Sequence, residues 1–508
     1  MSEGADLRPL NRTMITLSVM LATIIQALDT TIANVALPHM PGSLSAAQDQ
    51  ITWVLTSYIV AAAIATPLTG WLVDRYTQKR VLLVSVAGFT VASALCGLAG
   101  SLEQIVGARL LQGLFGAALV PLSQAVMLEI TPAAKRGSAM AIWGVGVMVG
   151  PILGPSLGGW LTDSYDWRCV FFINLPIGAL AFWGIWRYIR QSVAARGMRF
   201  DVFGFASLGL AIGALQMLLD RGQENDWFAS TETWVECIAF VISFACFAAH
   251  TAFTPAGQSF LDYRLLKNRN YVTGLLFIFI VGLVLYATRA LTPPMLQSLM
   301  DYPVSTVGLV TAPSGVGTML AMLVVGQLVG RWDLRLLLLG GFALTAFSLW
   351  QMSGYTLVLS ESDIVWPGFI QGVGLGLVFV PLSTVTFATL QPSMFSQGTA
   401  LYSLIRNIGS SIGISLVQTL LVRNAQTAHA SLAAAANTGA GSFGFLDLAT
   451  PQGLAVLNAE VSRQASMIAY VDDFKLMLIL TVLVMPLLWL IRPPRPGAAA
   501  SASHAVMD

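Results

Sequence analysis

Charged side chains are scarce in this sequence of 508 residues. Asp, Glu, Lys and Arg together make up only 10% of it, whereas soluble domains carry about 25%. The formal net charge is only +1, so the excess of basic residues that marks a nucleic-acid-binding surface is missing. The composition therefore argues against a soluble domain and against a nucleic-acid-binding protein.

Histidine and cysteine are also rare, with four of each. The histidines are scattered and form no nucleophile–base pair or metal-ligand cluster: His39, His250, His429 and His504. The cysteines lie in or at the ends of apolar runs and lack CxxC spacing, which is typical of packing residues. We therefore predict that the protein has no metal site and no cofactor and is not an enzyme.

Hydrophobic residues make up 56% of the chain, and its mean hydropathy is +0.74. Apolar runs of about 20 residues, long enough to cross a bilayer as helices, recur along its whole length. They do not alternate as barrel strands would, so we predict an all-α membrane protein. Fourteen spans are predicted near 14–38, 51–73, 81–100, 104–128, 138–161, 168–189, 202–219, 234–253, 271–292, 304–329, 335–354, 364–390, 399–422 and 474–491.

The basic residues predict the orientation. Three of the 26 Lys and Arg residues lie deep inside spans, and 18 of the remaining 23, in loops or at span ends, fall on the side of the N-terminus. Basic loops stay in the cytoplasm, and an even number of spans returns the chain to its starting side. Both termini are therefore predicted to be cytoplasmic.

The sequence repeats itself. The stretch "QGLFGAALVPLSQA" from Gln112 resembles "QGVGLGLVFVPLSTV" from Gln371, and "GWLVDR" from Gly70 resembles "GQLVGR" from Gly326. Each match joins a span to the span eight positions later, so both copies cross the membrane in the same direction. This pattern predicts two six-helix bundles with two helices inserted between them.

The repeat sets the expected domain boundaries: an N-terminal bundle at 1–190, two inserted helices with their connectors at 191–270, and a C-terminal bundle at 271–508. The inserted helices carry no intramembrane charge, and we expect them to be peripheral, without side chains in a central cavity. The last external loop, at 423–472, is rich in Ala, Ser and Gly. It could be flexible filler or a docking surface for a periplasmic partner.

One acidic residue, Asp29, falls well inside a predicted span. A charge that faces lipid costs at least about 2.5 kcal/mol, so Asp29 must face the bundle interior or a wet cavity. Arg109 is the expected partner, because the two residues differ in depth by only about 6 Å. Gly368 and Leu285 stand near the equivalent positions of the second half. The pair is interpreted as a proton-coupling site, with a structural hydrogen-bonding role as the alternative.

Other polar residues at membrane depth are predicted to line a substrate cavity. Three of them lie on the same helix face as Asp29: Gln26, Thr30 and Asn34. Gln112 lies on the same face as Arg109, and the remaining three lie in the second half of the chain. Arg289 could instead extend outward to the interface. The predicted cavity residues are Gln26, Thr30, Asn34, Gln112, Gln371, Arg406 and Asn407.

The stretch "GPILGPSLGG" begins at Gly150, and small residues recur every four positions from Gly146 to Gly158. Such a stripe allows close helix packing. Pro151 and Pro155 each remove a backbone hydrogen bond and permit a bend. Close packing alone explains four-residue glycine spacing in many membrane helices, so the doubled Gly-Pro is the more specific sign of a functional motif.

These motifs resemble the major facilitator superfamily, and within it the 14-span drug:proton antiporters of the EmrB type. "LDTTIANVALP" resembles the first-helix motif, and "GWLVDRYTQKR" resembles the loop motif after helix two, with Thr77 where the family usually has glycine. "RLLQG" resembles the fourth-helix motif whose arginine is linked to proton coupling, here Arg109. The residues that the resemblance assigns are Gly70, Asp74 and Arg75 for the gating loop, and Gly150, Gly154, Pro155, Gly158 and Gly159 for the antiporter helix.

The resemblance implies proton-coupled export of amphipathic drugs or toxic small molecules across a bacterial inner membrane by alternating access. It also implies a periplasmic adaptor and an outer-membrane channel as partners. An uptake or metabolite transporter on the same fold is the main alternative, and the Gly-Pro helix argues against it. A membrane enzyme or receptor is a more distant alternative, because fold alone does not fix function.

Overall fold

A computed structural model describes residues 9–47, 50–190, 200–254, 259–329, 331–438 and 450–491. Parts of both predicted connectors (191–199 and 255–258) and of the predicted loop (439–449) lie outside these ranges. So do five of the basic residues behind the predicted orientation: Arg8, Arg196, Arg199, Arg492 and Arg495.

The first half of the chain forms six long helices, as predicted. The second is bent by 55° at Pro67, which cannot donate a backbone hydrogen bond. The six helices are α1 Pro9–Ala36, α2 Gln50–Ala65 with Leu68–Tyr76, α3 Gln78–Leu98, α4 Leu102–Glu129, α5 Arg136–Ser164 and α6 Cys169–Tyr188.

Eight more long helices follow. Two form the inserted pair: α7 Val202–Arg221 and α8 Thr231–Phe253. Six form the second half: α9 Arg269–Met300, α10 Val304–Leu328, α11 Leu334–Met352, α12 Glu361–Ala388, α13 Phe395–Thr438 and α14 Pro451–Val484. Within the described ranges, 14 segments can therefore cross a membrane if the bent α2 counts as one.

The two halves pack in the same way. In the first half, α1 packs against α5 and α6, and α4 packs against α2 and α3. In the second half, α9 packs against α13 and α14, and α12 packs against α10 and α11. Every pair recurs eight helices later, so the predicted fold class is confirmed: two six-helix bundles with two inserted helices.

We call the face of the protein at which α1 begins proximal and the opposite face distal. The bundles are joined near the proximal face. There the Ser138 hydroxyl donates to the Gly326 carbonyl at 2.8 Å, and the Arg136 guanidinium lies 4.9 Å from the ring centre of Phe395. Further along the cleft between the bundles, Asn407 is exposed, as is Asn34 near the distal end of α1. The bundles are thus in direct contact on the proximal side, and we interpret the cleft between them as open toward the distal face.

The prediction of a loop at 423–472 is wrong for most of that range. Helix α13 continues to Thr438, and α14 already begins at Pro451. The alanines between 425 and 436 were interpreted as weakly patterned linker, but alanine is the strongest helix former. Both helices therefore extend well beyond the distal ends of the other helices.

The prediction that both inserted helices are peripheral holds only for α8, most of which is exposed. Helix α7 buries Ser207, Leu208, Ala211 and Ile212, among others, and contacts both α2 and α13. Its sequence contains no charge at membrane depth, so hydropathy alone could not distinguish it from a lipid-facing helix.

Candidate functional site

Asp29 lies in the distal third of α1 and is only 1% exposed. Its two carboxylate oxygens accept three hydrogen bonds from side chains of α4 and α6. Oδ2 accepts from Arg109 Nη1 at 2.6 Å, while Oδ1 accepts from Gln112 Nε2 at 2.7 Å and from Asn174 Nδ2 at 3.0 Å. The carboxylate is thus held in the interior of the N-terminal bundle, out of contact with solvent.

Arg109 is fully buried on α4. Besides Asp29, its guanidinium donates to the Val54 carbonyl at 3.0 Å and to Gln112 Oε1 at 2.8 Å, and it lies 4.4 Å from the ring centre of Tyr58. A buried ion pair is tolerated only when further hydrogen bonds compensate the lost hydration. These contacts, together with the cation–π interaction, supply that compensation.

Asn174 and Ser93 complete the network, and the sequence analysis missed both. The Asn174 amide donates to Ser93 Oγ at 3.0 Å as well as to Asp29, and Ser93 in turn donates to the Phe171 carbonyl at 2.8 Å. The signal that could have found Asn174 is its isolation: "FFINLP" places one amide within an otherwise apolar run. Its side chain is completely buried.

Asp29 does not face the cleft with the other polar residues of α1. Gln26 and Thr30 are half-buried and Asn34 is exposed. Gln26 donates to the Tyr58 hydroxyl at 3.3 Å, which connects the cleft to the aromatic ring beside Arg109. Asp29 and the cleft surface are therefore neighbours on one helix rather than one continuous surface.

In the C-terminal bundle, the positions equivalent to Asp29 and Arg109 carry no charged side chain. Gln371 is buried and lines a cavity of about 20 Å³ with Leu285, Thr345 and Leu375. Such a cavity has room for about one water molecule. Gln371 therefore lies inside the bundle and does not line the cleft, unlike Arg406 and Asn407, which are half-buried and exposed, respectively.

Two further cations lie at membrane depth in the C-terminal bundle, Arg289 and Arg406. In the described part of the chain, neither makes an ion pair, and the Nε atom of Arg406 is buried without a hydrogen-bond partner. Arg289 is half-buried, on the side of α9 away from the exposed Leu276.

One acidic residue was misjudged. Asp473 is 1% exposed, and within the described residues neither of its carboxylate oxygens has a hydrogen-bond partner. Its burial was not expected from the sequence, in which it stands one residue ahead of the last predicted span. The cause is the early start of α14 at Pro451, which places Asp473 within the helix rather than ahead of it.

The glycine stripe of α5 packs directly on the Asp29 segment of α1. A Cβ at Gly150 would meet the Ala27 carbonyl, and a Cβ at Gly154 would meet the Thr31 hydroxyl. Thr31 also donates to the Gly150 carbonyl at 3.1 Å. Gly158 lies against Ile32, whereas Gly159 and Pro155 are half-buried and point elsewhere. A side chain at Gly150 or Gly154 would push α1 away.

The residues of the predicted gating loop lie at the proximal end of α2. A Cβ at Gly70 would lie 3.1 Å from the Cα of Gln397 on α13, so this glycine allows the two bundles to touch. Asp74 is half-buried and Arg75 is exposed. Thr77 has φ 85° and ψ 146°, a conformation that is otherwise almost exclusive to glycine.

Across the described residues, no group of three or more His, Cys, Asp or Glu side chains could hold a metal ion. A duplicated helical membrane fold with a cleft between its halves and one buried ion pair defines a secondary transporter. The family model described as Major Facilitator Superfamily matches residues 19–414. The chain belongs to this superfamily.

Two relatives match almost the whole chain. It is 34% identical to the fatty acid resistance protein FarB of Neisseria gonorrhoeae over 490 residues, which cover 94% of this chain and 96% of the relative. It is 32% identical to the multidrug export protein EmrB of Escherichia coli (strain K12) over 512 residues, which cover 99% of each. The predicted resemblance to EmrB-type exporters is confirmed.

The fold is also found among solved structures. The human organic anion transporter MFSD10 (TETRAN) superposes with a TM-score of 0.61 at 14% identity, over 92% of this chain and 99% of that one. At this identity the likeness establishes the fold alone.

Proposed function

We propose that this chain exports amphipathic small molecules in exchange for protons, and that Asp29 binds the exchanged proton. The observation that supports this most directly is the buried Asp29–Arg109 pair, because the equivalent position of the other bundle has only Leu285 and Gln371 around a small cavity. If ion coupling was added to one bundle of a duplicated scaffold, only that bundle is expected to carry the charged pair.

Protonation of Asp29 weakens the ion pair without leaving Arg109 uncompensated. The carboxylate loses its charge, while Arg109 keeps its hydrogen bonds to the Val54 carbonyl and to Gln112. When the proton leaves on the other side of the membrane, the ion pair forms again. The two protonation states differ in how firmly α1 is held to α4, and this difference biases the equilibrium between the two cleft orientations.

The cleft supplies polar groups for the head of an amphipathic substrate. Gln26 and Asn34 line it from α1, and Asn407 faces it from α13. Arg406, which lacks an ion pair among the described residues, would be compensated by an acidic head group. The relatives named for fatty acid resistance and for multidrug export are consistent with substrates of this kind.

The proposed location is the bacterial inner membrane, with the proximal face and both termini in the cytoplasm.

In that orientation the long α13 and the start of α14 project into the periplasm. Helix α13 has 44 residues, or about 66 Å at 1.5 Å per residue, roughly twice the bilayer core. A groove of about 570 Å³ lies beside this projection, lined by Ser298, Arg463 and Tyr470, among others. We propose the projection as the contact for a periplasmic adaptor that leads to an outer-membrane channel.

Transport direction distinguishes this proposal from uptake on the same fold. In inverted membrane vesicles energised to be acidic inside, an exporter accumulates substrate in the lumen, and an ionophore that collapses the pH gradient stops accumulation. An uptake transporter would instead deplete the lumen under the same conditions. Vesicles with the Asp29→Asn variant at matched expression serve as the control, and equal accumulation by both proteins would contradict the proposal.

A further inference from the structure

Helix α7, the first inserted helix, lies in the groove between the two bundles. Its residues Leu208 and Ile212 belong to one hydrophobic cluster with Ala63 of α2 and Leu404 of α13. Helix α7 thus touches a helix of the N-terminal bundle and a helix of the C-terminal bundle at the same time. A peripheral helix that only filled lipid space would not need such contacts on both sides.

The contact of α7 with α2 is the more extensive one. A Cβ at Gly209 or Gly213 would lie 3.2 or 3.1 Å from the side chain of Ile64, so the two helices approach closely. Nearer the distal face, the Thr56 hydroxyl donates to Asp220 Oδ2 at 2.9 Å. The Arg221 guanidinium lies 5.1 Å from the ring centre of Trp53.

The contact of α7 with α13 is more sparsely built and mostly polar. The Ser411 hydroxyl donates to Gln216 Oε1 at 3.0 Å, and the indole of Trp227, just after α7, donates to Thr419 at 3.1 Å. Gln216 also donates to Asp220 Oδ1 at 3.4 Å. Side chains from α2, α7 and α13 are thereby joined in one chain of hydrogen bonds.

This chain of hydrogen bonds lies where the bundles must move. Near the proximal face α2 and α13 touch directly at Gly70 and Gln397, but in the distal half α7 separates them. When the cleft closes on the distal side, the distal halves of α2 and α13 must approach each other. Helix α7 can then remain fixed to only one of them.

On the basis of the proposed export cycle, we infer that α7 moves with the N-terminal bundle and that the Gln216–Ser411 hydrogen bond breaks and re-forms once per cycle. Gln216 is then a positioning residue that stabilises the conformation with an open distal face. Neither Gln216 nor Ser411 needs to touch substrate or proton for this role. The Thr56–Asp220 hydrogen bond, on the other side of α7, remains intact throughout.

Two cysteine pairs test the inference. In a background with Cys169→Ser, Cys237→Ser and Cys246→Ser, one protein carries Gln216→Cys with Ser411→Cys, and the matched control carries Thr56→Cys with Asp220→Cys. Each is bridged in proteoliposomes with a short bifunctional thiosulfonate. We expect the 216–411 bridge to lower export at least about tenfold, with recovery on reduction, and the 56–220 bridge to leave export within about twofold.

Recovery on reduction separates a mechanical block from misfolding. The inference would be overturned if the 216–411 bridge left export within about twofold of the unbridged protein. It would also be overturned if the 56–220 bridge blocked export equally. If instead the unbridged background shows no proton-driven export at all, the proposed function fails, and the inference is then decided by the conformational measurement described next.

Spin labels at Ser164→Cys and Thr356→Cys, exposed positions at the distal ends of the two bundles, report the conformation without transport. Loss of one hydrogen bond worth about 1 kcal/mol should lower the ratio of distal-open to distal-closed protein about fivefold in Gln216→Leu. Ser411→Ala should give the same shift, and the double variant should add nothing further, because both changes remove the Gln216–Ser411 bond, while the Gln216–Asp220 bond lies within α7 and does not depend on the conformation. Unchanged distance distributions, or additive shifts, would overturn the inference.

Discussion

The Asp29 carboxylate and the Arg109 guanidinium meet at 2.6 Å, and each side chain is only 1% exposed. Arg109 can hold its other contacts because its planar fork places Nε on the Val54 carbonyl while Nη1 reaches Asp29 and Gln112. A lysine keeps the charge but presents a single point donor. The geometry of the pair, and not its charge alone, thus determines what substitutions do.

We expect Arg109→Lys to lower proton-coupled export by about tenfold or more, because at least one hydrogen bond to a charged group is lost. Arg190→Lys, the same substitution at an exposed proximal residue, is the control. Initial rates of export at matched expression measure the effect. Wild-type rates in Arg109→Lys would show that a positive charge alone is sufficient.

Asn174→Leu removes one donor from the ionised carboxylate of Asp29 and leaves the ion pair in place. Since the ionised carboxylate is then held less firmly, initial rates of proton-coupled export should fall about fivefold. Ser93→Ala removes a partner of Asn174 but no donor to Asp29, so its effect should be smaller. Wild-type rates in Asn174→Leu at matched expression would exclude Asn174 from the proton site.

Gly154→Leu should impair export because its side chain would collide with Thr31 and displace α1 beside Asp29. Overpacking of this kind costs about 1–3 kcal/mol. Gly340→Leu on α11 is the control, because a Cβ there meets nothing within 4 Å. Equal losses from Gly154→Leu and Gly340→Leu would show that close packing of α5 on α1 has no special role.

Thr77→Gly should stabilise the protein. Threonine at φ 85° is strained by about 1–3 kcal/mol, and glycine relieves this at some cost in unfolded-chain entropy, so we expect a net gain of about 1 kcal/mol. Ser85→Gly, inside α3, should lower stability because glycine is a poor helix former. Thermal unfolding in detergent compares the two, and a lower melting temperature for Thr77→Gly would contradict the strain.

Hydropathy and internal repeats were sufficient to predict the fold, because every bilayer-spanning helix must be long and apolar. Depth along two helices was sufficient to bring Asp29 and Arg109 together. Asn174 and Ser93 were missed because a single amide or hydroxyl in an apolar helix is common and has no fixed pattern. The role of α7 was missed because its contacts with α2 and α13 depend on which face it buries, which its largely apolar sequence does not specify.

The central claim is that the proton taken up by Asp29 is the one exchanged for substrate. Its most direct test is substrate-triggered proton release, followed with a pH-sensitive dye on purified protein in nanodiscs, for wild type and Asp29→Asn. Asparagine keeps the shape and one acceptor oxygen but cannot titrate. We predict that substrate releases protons from wild type and none from Asp29→Asn, while Asp163→Asn, at an exposed distal position, behaves as wild type. Release of the wild-type amount from Asp29→Asn would contradict the account and leave the buried pair with a structural role.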